Sequence, residues 1–166
     1  PAIFDTTKLL WMNGQYIRNI SYDKFNKLAA EKITIEIKRD LFDKERERID
    51  KILPCVQERL ETLNDITPQI YFLLDEPFEV NKEDWDSVNS EDGQEYLFAI
   101  RNKIKDLENF SLENIEKLMR DELKTQDIKP KVGFQITRVS ITGTKISPPL
   151  FESIYSLGKD GTLARL

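Results

Sequence analysis

The amino-acid sequence predicts an all-α protein made of two small lobes of short helices. Apolar residues recur every three or four positions along most of the chain, polar capping residues precede several of these runs, and prolines or glycines end them. Short helices with frequent stops favour orthogonal helical bundles or a superhelix over a long coiled coil. We therefore expect about nine or ten short helices.

In the predicted first lobe, residues 1–76, Asp5 and Ser21 precede apolar runs and are expected to cap helices. A longer, highly charged helix follows these two. Pro54 should break or kink it, because proline lacks the N–H donor and its ring clashes with the preceding turn. Residues 33–37 alternate between apolar and polar side chains and form the one strand-like stretch.

The second lobe is predicted to span residues 77–166, because Pro77 disfavours helix at the residue before it. Gly143 and Gly158 are expected to end two of its helices, since glycine readily takes the left-handed conformation found at helix C-termini. A short helix is expected around Trp85. The residues expected at or near the starts of the later helices are Asp92, Ser111, Pro130 and Ser147, the last of these followed by Pro148.

The composition is that of a protein with a packed core. Hydrophobic residues make up 39% of the chain and charged residues 33%. No apolar run approaches the roughly 20 residues that a membrane span needs, so we expect no membrane association. The single cysteine, Cys55, excludes a disulfide within the chain and suits a reducing compartment, so we expect a cytoplasmic protein.

The chain contains no histidine. This excludes a Ser-His-Asp triad, a Cys-His pair and a zinc site built on imidazole. The 30 acidic residues make chance pairs of carboxylates common, so such pairs are weak support for an enzyme that uses carboxylates. Such an enzyme is therefore the function that the sequence supports least.

The net charge of −5 is unevenly distributed along the chain. Residues 129–166 hold six basic and two acidic residues, whereas residues 75–95 hold nine acidic residues and one basic residue. This asymmetry indicates a C-terminal segment that faces phosphates and an acidic face that points away from nucleic acid.

Two motifs at opposite ends of the chain resemble segments of bacterial-type glutamyl-tRNA synthetases. The first lies in residues 4–18 and contains Trp11-Met12-Asn13-Gly14; the second runs from Thr142-Gly143 to Pro148-Pro149-Leu150-Phe151-Glu152. The resemblance covers essentially the whole chain. It implies the anticodon-binding superhelix of a class I aminoacyl-tRNA synthetase, separated from its catalytic domain.

The resemblance also implies which residues contact the anticodon. Arg59 matches the position that recognises the third anticodon base, and Arg138 matches the position that recognises the first. A guanidinium can donate two parallel hydrogen bonds to the acceptor edge of a cytosine, which lysine cannot do. The resemblance further implies that an arginine at position 59 favours glutamate over glutamine anticodons. The remaining expected anticodon contacts are Thr142, Ser147, Pro148, Pro149 and Leu150.

Four further cations are candidates for contacts with the tRNA backbone: Arg18, Lys131, Lys145 and Lys159. The first motif is expected to be structural. Trp11 and Met12 would fill the core of the first lobe, and Asn13-Gly14 would end a helix in the left-handed conformation.

The enzymes that this chain resembles attach glutamate to tRNA in an ATP-dependent reaction. A chain without histidine has no HIGH motif, and it has no KMSKS-like loop. We therefore expect a catalytically inactive, monomeric recognition arm that binds glutamate-accepting tRNA, binds no DNA and needs no cofactor. ATP and magnesium would belong to the absent catalytic domain. The alternative is a helical adaptor that binds other proteins.

Overall fold

In the computed structural model, residues 5–166 are described; residues 1–4, including the first residue of the N-terminal motif, lie outside that range. The described residues form helices and no strand, which confirms the all-α prediction. The helices of this range are α1 (Thr6–Asn19), α2 (Tyr22–Ile37), α3 (Asp43–Gln57), α4 (Ile66–Ile70), α5 (Lys82–Val88), α6 (Glu91–Lys105), α7 (Leu112–Thr125), α8 (Pro130–Thr142) and α9 (Leu150–Arg165). Short 3₁₀ turns, Leu63–Asp65 and Tyr71–Leu73, flank α4.

The chain forms two compact units, one ending at Leu74 and one starting at Asp75. In the first unit, α2 buries Phe25, Ala29 and Ile33, which are spaced four residues apart and so lie on one face of the helix. This face packs against α3 and α4. Burial of apolar side chains on these three helices supplies the core of the unit.

The strand-like residues 33–37 are the last turn of α2, so that exception to the helical pattern was wrong. Ile33 is fully buried, whereas Ile35 is exposed. Five alternating residues also fit one and a half turns of a helix, so the pattern alone cannot separate the two structures. The helix ends because Lys38 takes the left-handed conformation, with a φ of 58°.

Helix α3 continues through Pro54 to Gln57, so the predicted break does not occur. A proline at this position removes the N–H that would bond the carbonyl of Asp50, four residues earlier. The hydroxyl of Tyr22 donates to that carbonyl instead, at 3.1 Å. The side chain of Pro54 is exposed, so its ring also displaces no core residue.

We expect Tyr22→Phe to lower the free energy of unfolding by about 0.5–1.5 kcal/mol, because the Asp50 carbonyl loses its donor. The substitution should cost less in a Pro54→Ala background, where the alanine N–H can donate to the same carbonyl. Urea unfolding of the wild type, both single variants and the double variant measures this coupling. Strictly additive effects would contradict the explanation.

In the second unit, α6 packs against α7, α8 and α9. Tyr96 on α6 is fully buried, and its hydroxyl donates to the carbonyl of Met119 on α7 at 2.9 Å. Burial raises the pKa of Tyr96 far above its ordinary value, so the hydroxyl remains a donor across the physiological pH range.

Several predicted helix ends are confirmed. Asp5 accepts a hydrogen bond from the backbone N–H of Lys8 at 3.0 Å, and Ser111 accepts one from Asn114 at 3.3 Å. Pro130 is the first residue of α8. The helix ends at Gly143, where φ is 83°, and Gly158 interrupts α9 with a φ of 81°.

The predicted start of the last helix at Ser147 was wrong, because α9 begins at Leu150 and Pro149 precedes it. Each of the two prolines disfavours the helical conformation at the residue before it. Ser147 and Pro148 are therefore excluded from the helix, and Ser147 takes part in a loop contact described below.

The predicted role of the first motif also needs correction. Helix α1 runs through Asn13 and Gly14 to Asn19, so these two residues do not end a helix. Trp11 and Met12 are 60% and 51% exposed and are not core residues of the described chain. The buried residues of α1 lie in its second half, at Gly14 and Ile17, so the first two turns contribute nothing to the core.

Candidate nucleic-acid interface

The second unit contains a polar loop between α8 and α9, residues 143–149, which we call the α8–α9 loop. Arg138 projects from α8 towards it and donates to Ser147 Oγ at 2.5 Å and to the carbonyl of Pro148 at 2.6 Å. The hydroxyl of Thr142 donates to the carbonyl of Thr144 at 3.0 Å. The structure thus brings together Arg138, Thr142, Ser147 and Pro148, which were all predicted site residues.

The other end of the α8–α9 loop is bound to the acidic segment that precedes α6. The backbone N–H of Asn81 donates to the carbonyl of Gly143 at 2.8 Å, and the backbone N–H of Lys145 donates to Asp84 Oδ2 at 2.8 Å. The Lys145 ammonium lies 3.3 Å from Asp84 Oδ1 and donates to Ser87 Oγ at 3.0 Å. The backbone N–H of Lys145, followed by its ammonium, holds the pKa of Asp84 below its ordinary value.

This ion pair changes the interpretation of the charge pattern. The acidic stretch was expected to point away from nucleic acid and the basic C-terminal segment to face phosphates, yet Asp84 from the first binds Lys145 from the second. Lys145 was a predicted contact for the tRNA backbone, and its charge is balanced locally in this structure. The separation of charge along the sequence is therefore not maintained at the α8–α9 loop.

The apolar side chain that this loop presents to solvent is Ile146, which is 90% exposed. Sequence reasoning missed it, because an isoleucine is ordinarily assigned to a core. Its position between Gly143 and Pro148 was the available signal that it lies in a loop. By contrast, Leu150 is buried at 5% exposure, so its side chain packs inside the second unit.

The remaining predicted residues of the second unit lie in different settings. Pro148 is buried and Pro149 is half-buried at the start of α9. The Lys159 ammonium donates to the carbonyl of Leu107 at 2.8 Å, next to the end of α6. Lys131 is exposed in the first turn of α8. Lys131 and Lys145 are the exposed predicted cations on this unit, and Lys145 is the one that pairs with Asp84.

In the first unit, Arg59 is exposed in the turn that follows α3. Its backbone N–H donates to the carbonyl of Val56 at 3.0 Å. The next two residues contact α1. Arg18 donates to the carbonyl of Leu60 at 3.3 Å, and Asn13 Nδ2 donates to the carbonyl of Glu61 at 2.5 Å. Arg18, a predicted contact for the tRNA backbone, is therefore engaged within the unit.

Neither a metal cluster nor a membrane span is found in the part of the chain that the structure describes. Residues 5–166 contain no group of three or more Cys, Asp or Glu side chains placed to hold a metal ion. Within the same range, no helix combines the length and the apolar character needed to cross a membrane.

The helical fold and the polar α8–α9 loop can be compared with known proteins. The family model described as "Anticodon binding domain" matches residues 23–166, which is most of the chain. The chain therefore belongs to the anticodon-binding domain family.

The similar curated proteins are glutamate–tRNA ligases, which confirms the resemblance carried by the two end motifs. The glutamate–tRNA ligase of Cutibacterium acnes is 34% identical over 99% of this chain and 35% of its own length. That of Clostridium botulinum strain Hall is 34% identical over the whole chain and 34% of its own length. The chain spans about one third of the length of these relatives.

Solved structures give the same fold. A glutamate tRNA ligase from Elizabethkingia meningosepticum, crystallised in complex with its amino acid, has a TM-score of 0.77, with 20% identity over 98% of this chain and 31% of its own. Glutamate-tRNA synthetase from Elizabethkingia anophelis has a TM-score of 0.73 at the same identity and coverage.

Proposed function

We propose that this chain is the anticodon-recognition arm of a glutamate–tRNA ligase. The observation that carries the proposal is the α8–α9 loop, in which Arg138 binds Ser147 and Pro148 while Thr144 and Ile146 remain exposed. Such a loop offers backbone groups, hydroxyls and an apolar side chain to an unstacked base. Proteins that bind specific single-stranded RNA use these groups.

The proposal assigns different roles to the predicted site residues. Arg59 and Arg138 contact the third and first anticodon bases, and Ser147, with the backbone of the α8–α9 loop, contacts the anticodon. Ile146 takes the apolar role first expected of Leu150, because Leu150 is buried and Ile146 is exposed. Lys131 contacts the tRNA backbone.

The rest of the longer protein would supply the chemistry. It would attach glutamate to the tRNA in an ATP-dependent reaction, with ATP and magnesium bound outside this chain, in the cytoplasm. The exposed apolar residues in the first turns of α1 would contact that part of the protein, and they are Leu9, Leu10, Trp11 and Met12. The arm would contribute binding energy that helps to seat the acceptor end of the correct tRNA.

The direct test is binding of a glutamate-accepting tRNA transcript to this chain across a series of salt concentrations. We expect affinity to fall as salt rises, because phosphate contacts release counterions. A transcript with a substituted anticodon is the control and should bind more weakly. A chain shown by circular dichroism to be folded, yet unable to bind tRNA at low salt, would contradict the proposal. Such a result would favour the adaptor, which nothing in the comparisons supports.

A further inference from the structure

We propose that Asn13 positions Arg59 for recognition of the third anticodon base, by holding the backbone of the Arg59 turn against α1. The Arg59 turn comprises residues 58–61. This inference rests on the proposed function. It gives the first motif a part in specificity, in place of the core-filling and helix-ending roles expected from the sequence.

The Arg59 turn is held on its C-terminal side by two donors. Asn13 Nδ2 donates to the carbonyl of Glu61 at 2.5 Å, and Arg18 donates to the carbonyl of Leu60 at 3.3 Å. These two carbonyls immediately follow Arg59 in the sequence. Both donors come from α1, so a single rigid element fixes the backbone beyond the arginine.

Gly14, which lies between the two donors, allows this close contact. A Cβ atom built on Gly14 would lie 3.0 Å from the carbonyl oxygen of Leu60 and 3.1 Å from the Arg18 guanidinium. Glycine at this position therefore lets α1 approach the Arg59 turn closely enough for Asn13 to reach Glu61. Gly14 lies inside α1, and it allows the backbone of this helix to pack closely against the backbone of the Arg59 turn.

The turn is also held on its N-terminal side. Gln57, the last residue of α3, is buried, and its Nε2 donates to the carbonyls of Ile17 at 2.9 Å and Ile20 at 3.0 Å. The chain is thus bound to α1 both before and after Arg59. The Arg59 side chain itself is exposed between these two points.

The backbone contacts that hold the Arg59 turn against α1 affect how Arg59 recognises a base. A bidentate contact between a guanidinium and a base edge requires accurate placement of the arginine, and its energy is reduced when the backbone must be ordered at the moment of binding. Holding the turn in advance removes that cost for Arg59. Loss of the Asn13 donor should therefore weaken third-base discrimination, although Asn13 itself touches no base.

The test measures dissociation constants for the 166-residue chain with three tRNA transcripts: a glutamate-accepting transcript and two versions substituted at the third or at the first anticodon base. Two variants remove the Asn13 Nδ2 donor. Asn13→Ala also shortens the side chain, whereas Asn13→Asp keeps its shape. Asn19→Ala is the matched control, because Asn19 lies on the same helix and donates to Gln15 of its own helix. Arg59→Gln gives the value expected when the contact is absent.

We expect both Asn13 variants to lower the preference for cytosine over guanine at the third base by about fivefold or more, towards the value of Arg59→Gln. First-base preference should be unchanged in both, and Asn19→Ala should match the wild type at both bases. An unchanged third-base preference in the Asn13 variants overturns the inference, and so does an equal loss at both bases.

The proposed function and the role of Asn13 can fail separately. A wild-type chain that binds tRNA without any third-base preference overturns the role of Arg59 and this inference, and leaves tRNA binding intact. A folded wild-type chain that binds no tRNA overturns the proposed function, and the inference falls with it.

Discussion

Substitution of Gly143 by alanine is expected to lower the free energy of unfolding by about 2–4 kcal/mol and to weaken tRNA binding. Two penalties combine at this residue. Its φ of 83° lies in the left-handed region, which costs a residue with a Cβ about 1–2 kcal/mol. The added Cβ would also lie 2.6 Å from the carbonyl oxygen of Glu79, a backbone atom that must shift to make room.

The effect on tRNA binding follows from where Gly143 lies. Its carbonyl accepts the hydrogen bond from Asn81, next to the segment that a Cβ would displace. A shift there moves the start of the α8–α9 loop and separates it from α5, so the groups proposed to contact the anticodon lose their placement. Urea unfolding and tRNA binding of the same variant measure both effects.

Gly158→Ala is the control for backbone strain without a steric clash. Gly158 has a φ of 81° and a ψ of 166°, a conformation that only glycine adopts readily, and a Cβ at this residue would have no atom within 4 Å. Its substitution should cost about 1–3 kcal/mol through backbone strain alone and leave tRNA affinity unchanged. Equal losses of affinity in the two variants would show that the α8–α9 loop is not the site of contact.

Arg138→Lys is expected to raise the dissociation constant for tRNA by about tenfold or more. The lysine retains the charge, but it cannot present two parallel N–H groups to a base while the loop carbonyl of Pro148 also requires a donor. Arg138→Ala should bind at least as weakly. Both substitutions leave Ser147 without the guanidinium that holds it in this structure.

Lys131→Ala is the control for this prediction, because it removes one exposed positive charge from the same helix. Loss of one phosphate contact should weaken binding to all tRNA transcripts about equally and make the salt dependence shallower. Arg138→Lys should instead weaken the preference at the first anticodon base. If Arg138→Lys changes only the salt dependence, Arg138 is a phosphate contact and not a base contact.

The elements that sequence patterns predicted well depend on neighbours close in the chain. The cap at Asp5, the start of α8 at Pro130 and its end at Gly143 each depend on backbone geometry within one helical turn. Such signals act wherever the segment lies in the fold. The same local chemistry predicted the polar loop between α8 and α9.

The errors come from partners that are distant in sequence. Pro54 does not end α3, because the hydroxyl of Tyr22 satisfies the carbonyl that the proline leaves without a donor. Ser147 binds Arg138 and does not cap α9. Such pairings depend on the tertiary fold, so periodicity and capping rules cannot supply them.

The candidate site likewise contains residues that the sequence predicted and residues that it did not. The resemblance implied anticodon contacts at Arg138, Thr142, Ser147 and Pro148, and the structure places these four residues in contact. It did not indicate that Ile146 is the exposed apolar residue of the loop. The pairing of Lys145 with Asp84 joins residues 61 positions apart, and the charge pattern along the sequence did not indicate it.

The hydroxyl of Tyr22 donates to the carbonyl of Asp50 in place of the backbone N–H that Pro54 lacks. This substitution of one donor for another has an evolutionary consequence. A lineage that replaces Pro54 by a residue with an N–H releases the constraint on position 22. A lineage that retains the proline is expected to favour a donor there. Among chains of this family, the two positions should therefore vary together, although they lie on different helices.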